Sequence, residues 1–114
     1  MNPQVALRSY QQNQITSASP LQLVLMAYDV ALVGCARRDL AKTTRAINTL
    51  IKSLDMEQGG EVALGLYRLY QYCNDLARKG QYDEAARILR ELAGAWVQCL
   101  VEKSPMVTPA RAAA

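Results

Sequence analysis

Cys35, Cys73 and Cys99 are the residues of this chain best suited to metal or redox chemistry, and their spacing serves neither. They are isolated and odd in number. No Cys-x-x-Cys pair exists, and the chain contains no histidine. A structural zinc centre takes four nitrogen or sulfur ligands, and this sequence offers no such cluster. Each cysteine falls instead on an apolar seam with helical spacing, where a reduced thiol packs as a small hydrophobe. The paired glycines Gly59-Gly60 do not make a phosphate loop, because no strand precedes them and neither GxGxxG nor GxxxxGK(S/T) is present. Tyrosines and Asp29 are capable of acid–base work, but nothing gathers them into a nucleophile–base arrangement. The expectation is a protein that binds and is not an enzyme, with no cofactor and no metal.

The elements that position these residues follow from composition and periodicity. The chain has 114 residues, of which 51% are hydrophobic, enough for one domain with a core of its own. The net charge of +3 is mild and spread out, unlike the concentrated basic face of a nucleic-acid binder. The opening MNPQVALRSYQQNQ lacks a charged start followed by a long apolar run, so no secretory signal is expected and the protein is placed in the cytoplasm.

The chain is organised around Ser19 to Ala36, SPLQLVLMAYDVALVGCA. Ser19 is suited to cap a helix and Pro20 to occupy its first turn, where a missing N–H does no harm. At about 100° per residue, Leu21, Val24, Tyr28, Ala31 and Cys35 form one seam, flanked by Leu25 and Leu32. Leu23, Met26, Val30 and Val33 form a second seam on the opposite half. Gln22, Asp29 and Arg37 leave only a narrow wet edge. A membrane span is rejected, because the run is shorter than the roughly 20 residues a bilayer requires and carries Asp29 inside it. One seam belongs to the core. The other needs a cover, either from this chain or from a partner; periodicity alone leaves both open.

Residues 1–18 are polar and rich in Gln and Asn, with Leu7, Tyr10 and Ile15 as apolar points, and read as an arm or short helix that is a natural cover for the second seam. The first helix is expected to end near Arg37 to Leu40, with Arg37 and Arg38 in its last turn. A second helix follows over Ala41 to Leu54, with Ile47, Leu50, Ile51 and Leu54 at helical spacing. Arg37, Arg38, Lys42 and Arg45 cluster around this hairpin, and an ordinary solvated helix end is favoured over a patch for an acidic partner. The loop from Asp55 to Gly60 stops the second helix. A third helix is read over Glu61 to Lys79, with Val62, Leu66, Leu69, Cys73 and Leu76 as its seam. Tyr70 leans toward the core, with Tyr67 and Tyr72 on the flanks. After Gly80 a fourth helix runs from Tyr82 to Val101, with Ala85, Leu89, Leu92, Trp96 and Cys99 as its seam and Trp96 as an anchor. The tail from Ser104 to Ala114 has two prolines and no periodicity, and is expected to be disordered. The predicted fold is all-α: an up-down-up-down four-helix bundle over residues 19–103, preceded by the short N-terminal arm.

These residues resemble a known family. Tyr10-x-x-Asn13-x-Ile15-x-Ser17-Ala18-Ser19-Pro20, followed by Leu23-x-Leu25-Met26-x-Tyr28-Asp29-x-Ala31, is similar to the N-terminal half of the flagellar export chaperone FliS family. Ser53-Leu54-Asp55-Met56-Glu57-x-Gly59-Gly60-Glu61, then Leu66-Tyr67-Arg68-Leu69-Tyr70-x-Tyr72, resembles that family's second signature. The likeness spans about residues 10 to 100. It implies an antiparallel bundle that acts in the cytoplasm on the disordered C-terminal segment of flagellin. Binding there keeps subunits from polymerising early and assists their delivery to the flagellar type III export apparatus. The further partners it suggests are that export machinery and a flagellar regulator. Two positions depart from the family: Val30 stands where Gly is usual, and Ala27 where a larger aliphatic is usual. The first hairpin and the third-to-fourth helix connection are also short.

The expected partner-binding residues are Leu23, Met26, Val30 and Val33 as a groove floor, Tyr10 and Ile15 in the arm or in direct contact, and Tyr67 and Tyr72 as flanking walls. The alternative use of the second seam is a helical homo-oligomer or adaptor.

Overall fold

The computed structural model describes residues 20–103, with side chains described through residue 98. Four helices account for nearly all of it: α1 (Pro20–Ala36), α2 (Leu40–Lys52), α3 (Met56–Arg78) and α4 (Tyr82–Lys103). No strand occurs among the described residues. Each connection is a tight turn, so consecutive helices run antiparallel. Helix α1 packs on α2, α2 on α3, α3 on α4 and α4 back on α1, which closes the bundle and sets α1 and α3 at opposite corners. Expectations for the arm, with Tyr10 and Ile15, for the Ser19 cap, for the tail and for the Cys99 side chain lie outside the described residues.

Local chemistry sets the turns. Arg38 takes φ 53°, and the Asp39 N–H reaches back to the Gly34 carbonyl at 2.9 Å, closing α1 with a left-handed C-terminal turn. Asp39 then caps α2, its Oδ1 accepting the Lys42 N–H at 3.0 Å. Asp55 caps α3 the same way through Gln58 at 2.9 Å. Gly80, at φ 78°, repeats the closing turn between α3 and α4, where the Gln81 N–H bonds the Leu76 carbonyl at 2.8 Å.

Three expectations need correction. Helix α1 closes at Ala36, so Arg37 and Arg38 lie in the turn and not in its last helical turn. The stretch read as a loop up to Gly60 carries the first turn of α3, because Asp55 supplies its cap; Gly60 (φ 52°, ψ −127°) then bends the helix. The α3 core row also departs in part from the expected one. Val62 is 72% exposed and Leu69 is exposed, while Cys73 and Leu76 of the expected seam are buried, as is Tyr70, together with Ala63 and Ala77. Both rows are apolar enough to serve. The inward row has small residues that allow close helix approach, and it carries Tyr70 to a buried hydroxyl partner.

The core joins Tyr28, Ala31 and Cys35 of α1 to Ile47 and Leu50 of α2, Tyr70 and Cys73 of α3, and Ala85 and Leu89 of α4. Helices α1 and α2 come into close contact at Gly34. A Cβ there would stand 2.5 Å from Thr43 Oγ1 and 2.9 Å from the Thr43 backbone nitrogen. The absence of a side chain lets α1 and α2 approach at the hairpin.

Candidate partner-binding groove

Helix α1 is apolar nearly all round, so its rotation decides which seam is offered to solvent. A buried polar link sets that rotation. The Tyr28 and Tyr70 hydroxyls lie 2.6 Å apart in the core. Trp96 of α4 donates its Nε1–H to Tyr28 Oη at 3.0 Å. Three helices thus meet at one oxygen, and a buried phenol finds partners only in this orientation. Burial pushes both tyrosines above the ordinary phenol range, and for Tyr28 the bond to Tyr70 adds to the rise. They are neutral structural groups. Cys73 beside them is pushed up to about 12, first by burial and then by the neighbouring Cys35. It is a packed thiol with no nucleophilic role.

With Tyr28, Ala31 and Cys35 turned inward, the second seam faces out. Leu23 and Met26 are each 44% exposed, Val30 43% and Val33 40%. Leu23, Met26 and Val30 line an open groove of about 730 Å³ between α1 and α2, with Ala27 and Ala46 at its base. Val33 continues the same row one turn farther along α1 and is not among the lining residues. The small Ala27 is buried against α2, while Val30 stands at the surface. Opposite them, Lys42, Arg45 and Thr49 of α2 form the other wall, and Asp39 closes one end.

Tyr67 and Tyr72 do not join this groove. Both are exposed on α3, away from α1, and the Tyr67 hydroxyl accepts a bond from Gln71 Nε2 at 3.0 Å. A second hollow of about 520 Å³ lies at the α2–α3 turn, lined by Val24, Leu54, Val62, Leu66 and Trp96 among others. Trp96 therefore packs on the core but is only half buried. By residue type alone, Lys42 and Arg45 fit a solvated helix end. The signal pointing to a groove wall was available in their spacing with Thr49 along one face of α2.

The chemistry this arrangement supports is non-covalent. An apolar floor exposed along successive turns is suited to the apolar face of an amphipathic helix. Among the described residues no group of His, Cys, Asp and Glu could hold a metal ion, and no helix is long and apolar enough to cross a membrane.

A family model described as "Flagellar protein FliS" matches residues 34–103. The chain belongs to the FliS family. It is 32% identical over 117 residues to a protein of Campylobacter jejuni subsp. jejuni serotype O:6 (strain 81116 / NCTC 11828) named "Flagellar secretion chaperone FliS", covering 84% of this chain and 91% of the relative. No solved structure matches. The FliS match spans the α1–α2 turn, α2, α3 and α4, the part of the bundle that carries the α2 wall of the groove, while the floor residues on α1 precede it.

Proposed function

We propose that this FliS-family chain is a cytoplasmic flagellar export chaperone that binds the disordered C-terminal segment of flagellin in the α1/α2 groove. In this role it keeps subunits from polymerising and assists their delivery to the flagellar type III export apparatus. Family membership and the relative's name support the broad role of an export chaperone. The observation that carries the finer reading is the exposed row Leu23, Met26 and Val30, which forms the apolar floor of the groove. Four large apolar side chains on successive turns of one helix, each about two-fifths exposed, are a standing cost in water that a docked helix removes. A segment that is unfolded when free loses conformational entropy on docking, so the affinity depends on burying enough apolar surface to exceed that loss. Met26 suits the task, since its flexible thioether adapts to irregular partners. The role is binding, and no catalytic step is assigned to it.

The test is binding of a peptide matching the C-terminal end of the same organism's flagellin, followed by calorimetry and by light scattering of the eluted complex. A one-to-one complex with the wild type, lost in Met26→Asp, is expected. Absence of binding, or self-association of the chaperone that survives the peptide and is lost in Met26→Asp, would replace this reading with a homo-oligomer built on the same seam.

A further inference from the structure

The α2 wall of the groove carries two cations, Lys42 and Arg45, and a third, Lys52, continues their row beyond it. Lys42, Arg45, Thr49 and Lys52 follow one another at steps of three, four and three residues, which places them along one face of α2. Lys42, Arg45 and Thr49 line the groove, and Lys52 stands one turn beyond Thr49 on the same row. The row extends over about 15 Å, at roughly 1.5 Å per residue. The ion pairs among the described residues use Arg38, Arg78 and Arg87, so none of the three row cations is neutralised by a described carboxylate. Asp39, the groove's own acid, is held as the α2 cap by the Lys42 N–H. Arg37 and Arg38 stand apart from the row; Arg38 is drawn toward Asp83 and the Tyr82 ring at the start of α4.

We infer that the helix seated in this groove carries acidic side chains, three or four residues apart, along the edge that faces α2. They meet Lys42, Arg45 and Lys52 while the apolar stripe of the same helix covers Leu23, Met26 and Val30. The inference rests on the groove being the partner site. A groove that was apolar on both walls would accept an amphipathic helix in many rotations and in either direction. A cationic row on one wall only is asymmetric, and it fixes rotation and register because the acidic edge can face just one way. Each pair sits at the rim, so each one alone adds little to affinity. Their combined effect is on selectivity and approach, where like charge repels wrong helices and opposite charge steers the right one.

The probes are the same organism's flagellin C-terminal segment and a version of it with every Asp and Glu replaced by Asn or Gln. Each is titrated against the wild-type chain and against K42Q/R45Q/K52Q, at about 50 mM and about 500 mM NaCl. The substitutions are conservative and lie on the surface, and a thermal melt checks that the fold is kept. At low salt the triple variant is expected to lose about tenfold in affinity, and the loss should shrink below about threefold at high salt. The neutralised segment should lose the same factor on the wild type and nothing further on the triple variant. Should both segments bind both proteins equally at low salt while Met26→Asp still abolishes binding, the acidic edge is disproved and the groove reading stands. Should the natural segment fail to bind the wild type at all, both fall together.

Discussion

Tyr28 and Tyr70 share a hydroxyl–hydroxyl bond of 2.6 Å although their helices stand at opposite corners of the bundle, with ring centroids 6.2 Å apart and planes at 63°. The bond runs through the centre of the core and ties α1 to α3 without any helix–helix face between them. Tyr28 Oη also accepts from Trp96, so the two tyrosines are not equivalent. Tyr28→Phe strands two polar groups, and Tyr70→Phe strands one. The expected losses are about 2–3 kcal/mol and about 1 kcal/mol, since an orphaned buried donor or acceptor retains its desolvation cost. Denaturant unfolding followed by the fluorescence of Trp96, the only tryptophan, measures both. Equal losses would show that the Trp96 bond contributes nothing.

At Gly34 the expected sign runs against helix propensity. A glycine-to-alanine change inside a helix ordinarily stabilises by up to about 1 kcal/mol. Here the new methyl meets the Thr43 hydroxyl, and the Thr43 backbone nitrogen behind it cannot swing aside. Gly34→Ala should destabilise by about 1–3 kcal/mol, the range for overpacking a tight crossing. Gly94, whose Cβ position is open, serves as the control, and Gly94→Ala should be neutral or stabilising. A thermal melt in which both substitutions raise the midpoint would contradict the close α1–α2 contact.

Much of this architecture was legible in the sequence because turn chemistry and helical spacing are local. Helix boundaries followed from Pro20, Gly80 and the apolar steps of three and four, and Tyr28, Ala31 and Cys35 were recognisable as one seam. What was not legible was the rotational phase where a helix has two apolar rows. On α3 Cys73 and Leu76 of the expected seam are buried and Tyr70 leans inward as expected, but Val62 and Leu69 turn out to solvent and Ala63 turns in. The choice depends on a hydroxyl partner and a Trp N–H on other helices, which no window along the chain can show. Nothing along the chain marks Gly34 as a contact point, because the Thr43 packed against it comes from another helix. The second seam was visible as a row, but its cationic wall came from α2, and only packing brings the two together.

Arg38 occupies a backbone conformation that suits glycine. In the matching turn between α3 and α4 the residue in that place is Gly80. The Arg38 side chain compensates only weakly: its ion pair with Asp83 is 3.8 Å long and exposed, and its guanidinium carbon lies 5.7 Å from the Tyr82 ring centroid. Arg38→Gly should therefore be more stable than Arg38→Ala by about 1 kcal/mol, the reverse of the order inside a helix. Chemical denaturation of the pair decides it, and an alanine variant as stable as the glycine variant would remove the strain argument.

Buried thiols and phenols give the fold an alkaline limit. Burial raises Cys35, Cys73, Tyr28 and Tyr70, so the folded state holds these protons where the unfolded chain releases them. For Cys73 the ordinary value is 9.0 and the folded one about 12. Its contribution is fully present below about pH 9 and is lost as pH rises toward about 12, with a slope of at most about 1.4 kcal/mol per pH unit. Stability should be level near neutrality and fall above about pH 9, and Cys73→Ala should fall less steeply. Urea midpoints from about pH 7 to about pH 10.5 test this; a flat profile, or an unchanged slope in Cys73→Ala, would show that the thiol is not shielded.

The two seams of α1 should separate folding from binding. Met26→Asp and Val33→Asp place a carboxylate on the outward row, where more than a third of each side chain meets water, and the charge stays hydrated in the free protein. They should change unfolding free energy by less than about 1 kcal/mol. Ala31→Asp places the same charge on the inward row, where the residue is fully buried between helices. A buried unpaired carboxylate costs several kcal/mol, comparable to the whole stability of a small domain, so this variant should not fold. Val24, on the inward row but only half buried beside the hollow at the α2–α3 turn, should fall between the two. Once a partner helix covers the groove the outward charge loses its water, and at Met26 the full desolvation cost then appears in the binding free energy. The expected pattern is near-normal unfolding curves with binding to the flagellin segment weakened at least about a hundredfold for Met26→Asp, and less for Val33→Asp, which lies beyond the groove lining. If Met26→Asp unfolds the chain as readily as Ala31→Asp, the outward row is covered from within. If Met26→Asp folds and still binds, the partner uses another face, and the exposed pair Tyr67 and Tyr72 on α3 is the next surface to substitute.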